Sequence, residues 1–191
     1  MTELDAPMVK GFAVINGLQV LRKMTTPETF DRFAWALPSA TNLLLNRLPT
    51  HGEWVSLSHA KALLETAYEV AFDRDLKKCF DWGVRLQLNS LKTVHKIFVR
   101  LFSPTFLVPR AGVIWSLHYR HNGSVTASLR SETRVDLHYR GVKMPSAAYW
   151  EQLRGTAFAG LEATRVPNAS TVILNGGSSS PDCDMSCEWS K

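Results

Sequence analysis

The sequence contains no apolar run approaching the ~20 residues that cross a bilayer, and its opening Met1-Thr2-Glu3-Leu4-Asp5 carries acids where an export signal needs basic residues. It has three cysteines in 191 residues, too few and odd in number for a disulfide scaffold. Reduced thiols in a cytoplasmic protein are therefore expected. Glycine (11) and proline (9) are too sparse for a fibrous or low-complexity chain, and a 45% hydrophobic composition is too apolar for a disordered one. What is left is a globular chain, expected to form a single domain over 1–191, since about 100–200 residues make a typical domain.

The formal net charge is +5, but its distribution is uneven. Between Lys77 and Lys143 twelve basic residues face three acids (Asp81, Glu132, Asp136), so this segment carries +9 and the remainder −4. Such a concentration points to an acidic partner, whether protein, nucleic acid or lipid.

Hydrophobic spacing predicts a helix from Lys10 to Lys23 with Phe12, Ile15, Leu18 and Leu21 on one stripe. Thr26, Pro27 and Glu28 then spell a cap, a first-turn proline and an acid at the positive helix end, and Leu37-Pro38 stops that helix. Trp54 to Leu57 reads as a short extended piece before a helix capped by Ser58. Asp73 to Phe102 is predicted mainly helical with a break near Asn89-Ser90, closed by Ser103-Pro104, and a further helix runs from Pro109 to Tyr119. After Gly123 the period changes from helical to alternating. Val125, Ala127 and Leu129, and then Val135, Leu137 and Tyr139, predict a β-hairpin. A helix from Pro145 to Thr164 and two strands, Thr171–Leu174 and Asp184–Trp189, complete an α+β chain: a mainly helical half (1–122) and a ββαββ half (123–191) with a four-stranded antiparallel sheet packed on helices.

Several pieces in order resemble the myxobacterial paralogous family described as domain of unknown function 2378: Lys10-Gly11, Ala36-Leu37-Pro38, Leu48-Pro49 followed by Trp54, and Arg100-Leu101-Phe102-Ser103-Pro104 ahead of Trp115 and Tyr119. Cys183 and Trp189 match that family's Gly-Asp-x-x-Cys-x-Phe-x-x-x-Trp ending, whereas Ser179-Ser180 and Met185 depart from it. The family is similar in layout to 4-vinyl reductase domains, TRAPP tethering-complex subunits and haem-NO-binding domains. The resemblance implies a helical half with a small sheet, often dimeric, sometimes with an apolar ligand cavity. It implies no reaction.

Candidate chemistry is sparse. Cys183 and Cys187 would lie roughly 13 Å apart on a strand rising about 3.3 Å per residue, too far to share a metal ion. Asn175 stands where metal-binding relatives of the vinyl-reductase type have a cysteine, so Cys183 is left as an isolated metal candidate and no metal is expected. His95 is placed to be an axial haem ligand, but the haem-NO-binding family's Tyr-x-Ser-x-Arg motif is absent and no cofactor is expected. His118-Tyr119-Arg120-His121 suits an anion grip or a solvated helix end. Asn175 to Ser180 lacks the Lys-Ser/Thr pair of a phosphate loop, and no Gly-x-Ser-x-Gly nucleophile motif occurs. On the Pro145 to Thr164 helix, Gly155, Ala157, Ala159, Gly160 and Ala163 leave room for a close neighbour, which is its own sheet, a dimer partner or a ligand.

The expectation is thus a non-enzymatic regulatory or protein-interaction module, a homodimer or one binding an acidic protein. Its candidate pocket for a small apolar ligand is drawn from Phe98, Phe102, Phe106, Trp115, Trp150 and Phe158. Its candidate partner surface comprises Lys92, Lys96, Arg100, Arg130, Arg134 and Arg140. The rivals are a nucleic-acid-binding protein using the basic segment and a metal- or haem-dependent sensor.

Overall fold

A computed structural model describes residues 5–91 and 103–191. The chain enters through strand β1 (Met8–Lys10) and turns directly into helix α1 (Gly11–Met24), whose Val14, Ile15, Leu18 and Leu21 are buried. Helix α2 (Pro27–Ala36) starts as its sequence requires: Thr26 Oγ1 accepts the Thr29 N–H at 3.2 Å, and Pro27 occupies the first turn. It ends because Leu37, held extended by the proline after it, cannot continue the helix. Leu43 to Leu45, which have no distinct signal in the sequence, lie in helix α3 (Ser39–Asn46). Strand β2 (Trp54–Ser56) leads into helix α4 (Leu57–Thr66), capped by Ser56 rather than Ser58, and the helix widens into a π-helical turn over Ala67–Ala71.

Helix α5 (Leu76–Ser90) is capped by Asp75, and Leu91 after it keeps right-handed helical dihedrals, so the break expected near Asn89-Ser90 is not seen in the described residues. The Ser103 hydroxyl caps α6 (Pro104–Leu107), which passes through a 3-10 turn into α7 (Ala111–His118) and strand β3 (Tyr119–Arg120); the predicted helix that Ser103-Pro104 was expected to close lies, from Lys92 to Phe102, outside the described residues. β1 pairs antiparallel with both β2 and β3, making a three-stranded sheet ordered β2-β1-β3. Strands of two or three residues carry too little alternation to be read from sequence.

The predicted hairpin is present as β4 (Ser124–Ser131) and β5 (Arg134–Arg140), followed by helix α8 (Ala147–Ala163) and strands β6 (Ser170–Gly176) and β7 (Cys183–Glu188). They form a four-stranded antiparallel sheet of order β4-β5-β7-β6. The α+β expectation, helices followed by this sheet packed on helices, is what the structure has. One face of the sheet turns Val125, Val135, Tyr139, Cys183, Met185 and Cys187 into the core with Tyr149 and Trp150 of α8.

Among the described residues, α5 packs on α8 more extensively than any other pair of elements. Two glycines permit the approach: a β-carbon on Gly83 would sit 1.9 Å from the Gln152 carbonyl oxygen, and one on Gly155 would sit 2.0 Å from that of Phe80. The small residues of α8 thus serve a helix rather than the sheet at this point. Gly160, a turn and a half further on, meets nothing within 4 Å.

Candidate functional site

Between the helices and the inner face of the four-stranded sheet lies a cavity of about 320 Å³, within the range of small-molecule sites. Its walls follow from the helix stripes described above. α1 contributes Phe12, Ala13 and Asn16, α5 Leu86, Gln87 and Ser90, and α7 Ile114, Trp115 and His118. The sheet contributes Val125, Ala127, Val135, Leu137, Tyr139 and Cys187, and α8 contributes Leu153, Thr156, Ala157 and Gly160. Gly160 borders this space, which is why an added β-carbon there meets no atom.

No lysine, arginine, aspartate or glutamate is among the described lining residues. The polar lining is partly committed. Asn16 Nδ2 donates to the Leu86 carbonyl at 3.0 Å and to Ser90 Oγ at 2.9 Å, while Asn89 donates to Asn16 Oδ1 at 2.7 Å. His118 Nδ1 lies 2.9 Å from the Ile114 carbonyl, a contact that places the proton on Nδ1, and the ring meets Phe12 edge-on at 4.9 Å.

A second, smaller cavity of about 100 Å³ lies deeper, among Val14, Leu18, Leu21, Phe33, Leu63 and Leu64. Ala13, Leu86, Tyr119 and Gln152 line both spaces. Tyr149 lines the inner one, its buried hydroxyl having the Tyr119 phenol and the Asn122 amide as polar neighbours, while Trp115 Nε1 and Trp150 Nε1 are buried without a hydrogen-bond partner. Burial, and then the neighbouring Tyr119 phenol, push the Tyr149 pKa well above the ordinary phenol value, so this hydroxyl keeps its proton.

Of the aromatic residues expected to form a pocket, Trp115 lines the outer cavity, stacked at 4.4 Å on Tyr119. Trp150 lies in the core against Tyr139 and Tyr149, Phe158 packs on Phe80 at 5.6 Å, and Phe106 lies under the Arg110 guanidinium at 3.6 Å. Phe98, Phe102, His95, Lys92, Lys96 and Arg100 fall outside the described residues. The remaining arginines share the outer face of the four-stranded sheet, each with an acid beside it. Arg130 and Arg134 bracket Asp136 at 2.8 and 3.0 Å, Arg134 also reaches Glu188 at 3.4 Å, and Arg140 reaches Asp184 at 2.6 Å. Two of these acids, Asp184 and Glu188, come from beyond the basic segment, which is why a count along the chain missed them. Burial would raise the Asp136 pKa, but hydrogen bonds from Arg134 and Arg130 outweigh it and the net shift is downward.

The same face holds a row invisible in sequence, because its members come from three strands. Ser128 Oγ is 3.2 Å from His138 Nε2, and His138 Nδ1 is 2.9 Å from Asp184 Oδ1. The atoms are ordered as in a serine nucleophile with its base and orienting acid. Acyl transfer also requires donors aimed at the carbonyl oxygen above the serine, and the N–H groups of a sheet lie in its plane. Neither cavity is lined by these three residues. The row acts as a cross-strand ladder tying β4, β5 and β7.

The thiols of Cys79, Cys183 and Cys187 are all buried. Burial raises their pKa values to about 12, 11 and 12 respectively, so each stays protonated and is a poor metal ligand. Among the described residues no group of three or more His, Cys, Asp or Glu could hold a metal ion. No described helix is long and apolar enough to cross a membrane.

No protein-family model and no curated protein matches the sequence. Among solved structures the chain is similar in fold to H-NOX domains. A mutant H-NOX protein from K. algicida in its Fe(II) unliganded form superposes with a TM-score of 0.72 at 9% identity, over 95% of this chain and 97% of that one. An oxygen-binding H-NOX domain related to soluble guanylate cyclases, in its oxygen complex, gives 0.64 at 13% identity over 95% of each chain. An H-NOX structure addressing activation gives 0.67 at 11% identity, over 95% of this chain and 97% of that one. At these identities the likeness is one of fold.

Proposed function

We propose that this chain is a non-enzymatic sensor module that binds a small, largely apolar and uncharged molecule between its helices and its sheet. The observation that carries the reading is the 320 Å³ cavity, walled by apolar side chains from α1, α5, α7, α8 and the sheet. A ligand there touches both halves of the chain at once, so its binding energy can bias how they sit together. The fold likeness to domains whose structures name Fe(II), haem and oxygen supports a ligand-sensing role over nucleic-acid binding. So does the pairing of Arg130, Arg134 and Arg140 with acids, which leaves less uncompensated charge for a phosphate backbone.

Haem is the group this fold suggests, and the described residues do not fit it. A haem carries two carboxylates, and no described lysine or arginine lines the cavity to meet them. Tyr119-Arg120-His121-Asn122-Gly123, at the start of the sheet half, has neither the serine nor the arginine of Tyr-x-Ser-x-Arg. An arginine could not replace Gly123 there: its φ is +70°, and a β-carbon would lie 2.3 Å from the Arg140 carbonyl oxygen. His118 supplies an imidazole but nothing that would hold the rest of the macrocycle.

The test is binding of the neutral fluorescent probe N-phenyl-1-naphthylamine, with haemin titrated in parallel. The wild type is expected to bind the probe with enhanced fluorescence and to give no coordinated-haem Soret band. Gly160→Leu, which extends a side chain into the cavity from an unobstructed position, is expected to lose the probe while keeping its fold. Probe binding unchanged in Gly160→Leu would refute the assignment of the cavity, and a stoichiometric haem complex would refute the choice of ligand. We also propose that the chain belongs to the family of unknown function it resembles and that it self-associates. Native mass spectrometry of the purified chain reads subunit number and co-purified ligand together.

A further inference from the structure

Self-association needs a surface, and the corner between α2 and α3 has the composition of one. Between Arg32 and Arg47 the sequence has no charged residue. The two helices are joined by Leu37 and Pro38 alone, and Asn42 Nδ2 donates to the Ala34 carbonyl at 2.6 Å, which draws α3 back against the end of α2. Inward the corner is held by Phe30, Phe33, Leu37 and Thr41, all buried. Residues three and four apart on a helix share a face, so α2 turns outward Asp31, Arg32 and Trp35, and α3 turns outward Ala40 and Leu43 with Arg47 just past its end, all of them exposed. Trp35 is 87% exposed and Leu43 67%, although both are large and apolar. An apolar centre inside a charged rim marks an interaction site, and tryptophan is enriched where such sites hold their binding energy. Asp31 and Arg47 each lie about a turn farther from the corner than the apolar residue on their own helix. No ion pair among the described residues includes either of them, and Arg32 turns toward Thr29 Oγ1 at 3.5 Å.

We propose that this corner is the interface between two copies of the chain, related by a two-fold axis that lays α2 of each on α3 of the other, with Trp35 and Leu43 at the centre and Asp31 of each copy against Arg47 of the partner subunit. The step rests on the self-association proposed above and gives it a place and a geometry. A two-fold contact uses one patch twice, so the patch must complement itself. Its charges select the arrangement. Laying α2 on α3 pairs Asp31 with Arg47 twice, whereas laying α2 on α2 sets Asp31 against Asp31 and Arg47 against Arg47. They also select the partner, because an anionic lipid surface would attract Arg32 and Arg47 but repel Glu28 and Asp31 on the same helix face. None of Asp31, Trp35, Leu43 and Arg47 lines either cavity, so the contact leaves the ligand site untouched.

The test is sedimentation velocity over a concentration series reaching about 200 µM. The wild type is expected to dimerise, and Trp35→Ser to raise the dimer Kd at least about thirtyfold, the worth of one hot-spot side chain. Because Trp35 is exposed in the single chain, the variant is expected to keep its circular dichroism and its probe binding. Asp31→Arg and Arg47→Asp are each expected to weaken the dimer about tenfold. The double variant, which restores both pairs with their signs exchanged, is expected to return to within about threefold of the wild type. A wild type that stays monomeric throughout would remove self-association itself. A dimer unaltered by Trp35→Ser would overturn this surface and leave self-association standing, and a double variant no tighter than the single ones would overturn the laying of α2 on α3. Vesicles of phosphatidylcholine and phosphatidylglycerol are titrated in parallel: a monomer that binds them, and loses them in Trp35→Ser, would assign the corner to lipid and overturn the proposal equally.

Discussion

Gly155→Ala and Gly160→Ala make the same chemical change on one helix, and the structure requires opposite outcomes. At 155 the new methyl carbon would lie 2.0 Å from Phe80 O, 2.9 Å from its carbonyl carbon and 3.0 Å from Val84 N, all backbone atoms of α5. An ordinary C···O contact is about 3.3–3.6 Å, so the helices must part by more than about 1 Å or the chain must bend. Overpacking of this kind costs about 1–3 kcal/mol, and the upper end applies because a backbone carbonyl cannot swing aside as a side chain can. The better helix propensity of alanine returns about 1 kcal/mol, for a net loss of about 2 kcal/mol. At 160 no heavy atom lies within 4 Å, so the propensity gain of about 1 kcal/mol stands alone. In a chain of this length 1 kcal/mol moves Tm by about 2–4 °C. Thermal unfolding followed by circular dichroism should therefore show Gly155→Ala lower by about 4–8 °C and Gly160→Ala higher by about 2–4 °C. Gly83→Ala should behave like Gly155→Ala, and the double variant should cost less than the two singles together, because helices already parted accept the second methyl more easily. A Gly155→Ala protein at least as stable as the wild type would refute the close contact of α5 with α8, and with it the geometry of the cavity that contact closes.

Other outcomes follow from the polar sheet face and the caps. Asp136→Asn should destabilise by about 1.5–3 kcal/mol at neutral pH, the usual worth of hydrogen bonds to a charged group, measured by urea unfolding. Because the folded-state pKa of Asp136 is lowered, its contribution is present above the ordinary carboxylate pKa and disappears as pH falls through the folded value, so the variant and the wild type should converge in acid. The three thiols, held protonated by burial, should not react with Ellman's reagent at pH 8 in the folded protein and should all react in guanidinium; rapid labelling of the native chain would contradict their placement. Thr26→Ala should cost about 1 kcal/mol by leaving the Thr29 N–H without its cap, seen as a lower urea midpoint with unchanged m-value.

Features carried by neighbours in the chain were legible in the sequence. Thr26-Pro27-Glu28 marks a helix start wherever it is placed, and the alternation of Val125, Ala127, Leu129 with Val135, Leu137, Tyr139 marks a hairpin, because caps and periodicity act over a few residues. Ser103-Pro104, read as the end of one helix, also opens the next, since serine caps and proline fits a first turn. The three-stranded sheet was missed: Met8–Lys10 has no pattern of its own and is a strand because β2 and β3 lie beside it. Of the candidate pocket aromatics with described positions, Trp115 reaches the cavity, whereas Trp150, equally apolar, is turned into the core by its place one residue after Tyr149 on α8.

The sequence by itself determined the kinds of elements and their order, and the α+β class, because hydrophobic period, capping residues and turn residues are local properties of the chain. Tertiary structure decided everything that depends on who stands opposite whom. It separated Gly155, pressed against a helix, from Gly160, open to a cavity, although the two are alike in sequence. It set Arg140 against Asp184 across 44 positions of chain, so that charge concentrated in one segment is balanced by acids from another. It also set the Tyr149 phenol against Tyr119 and Asn122, a meeting no pattern of neighbours contains, since it is a property of packing in space and not of order along a chain.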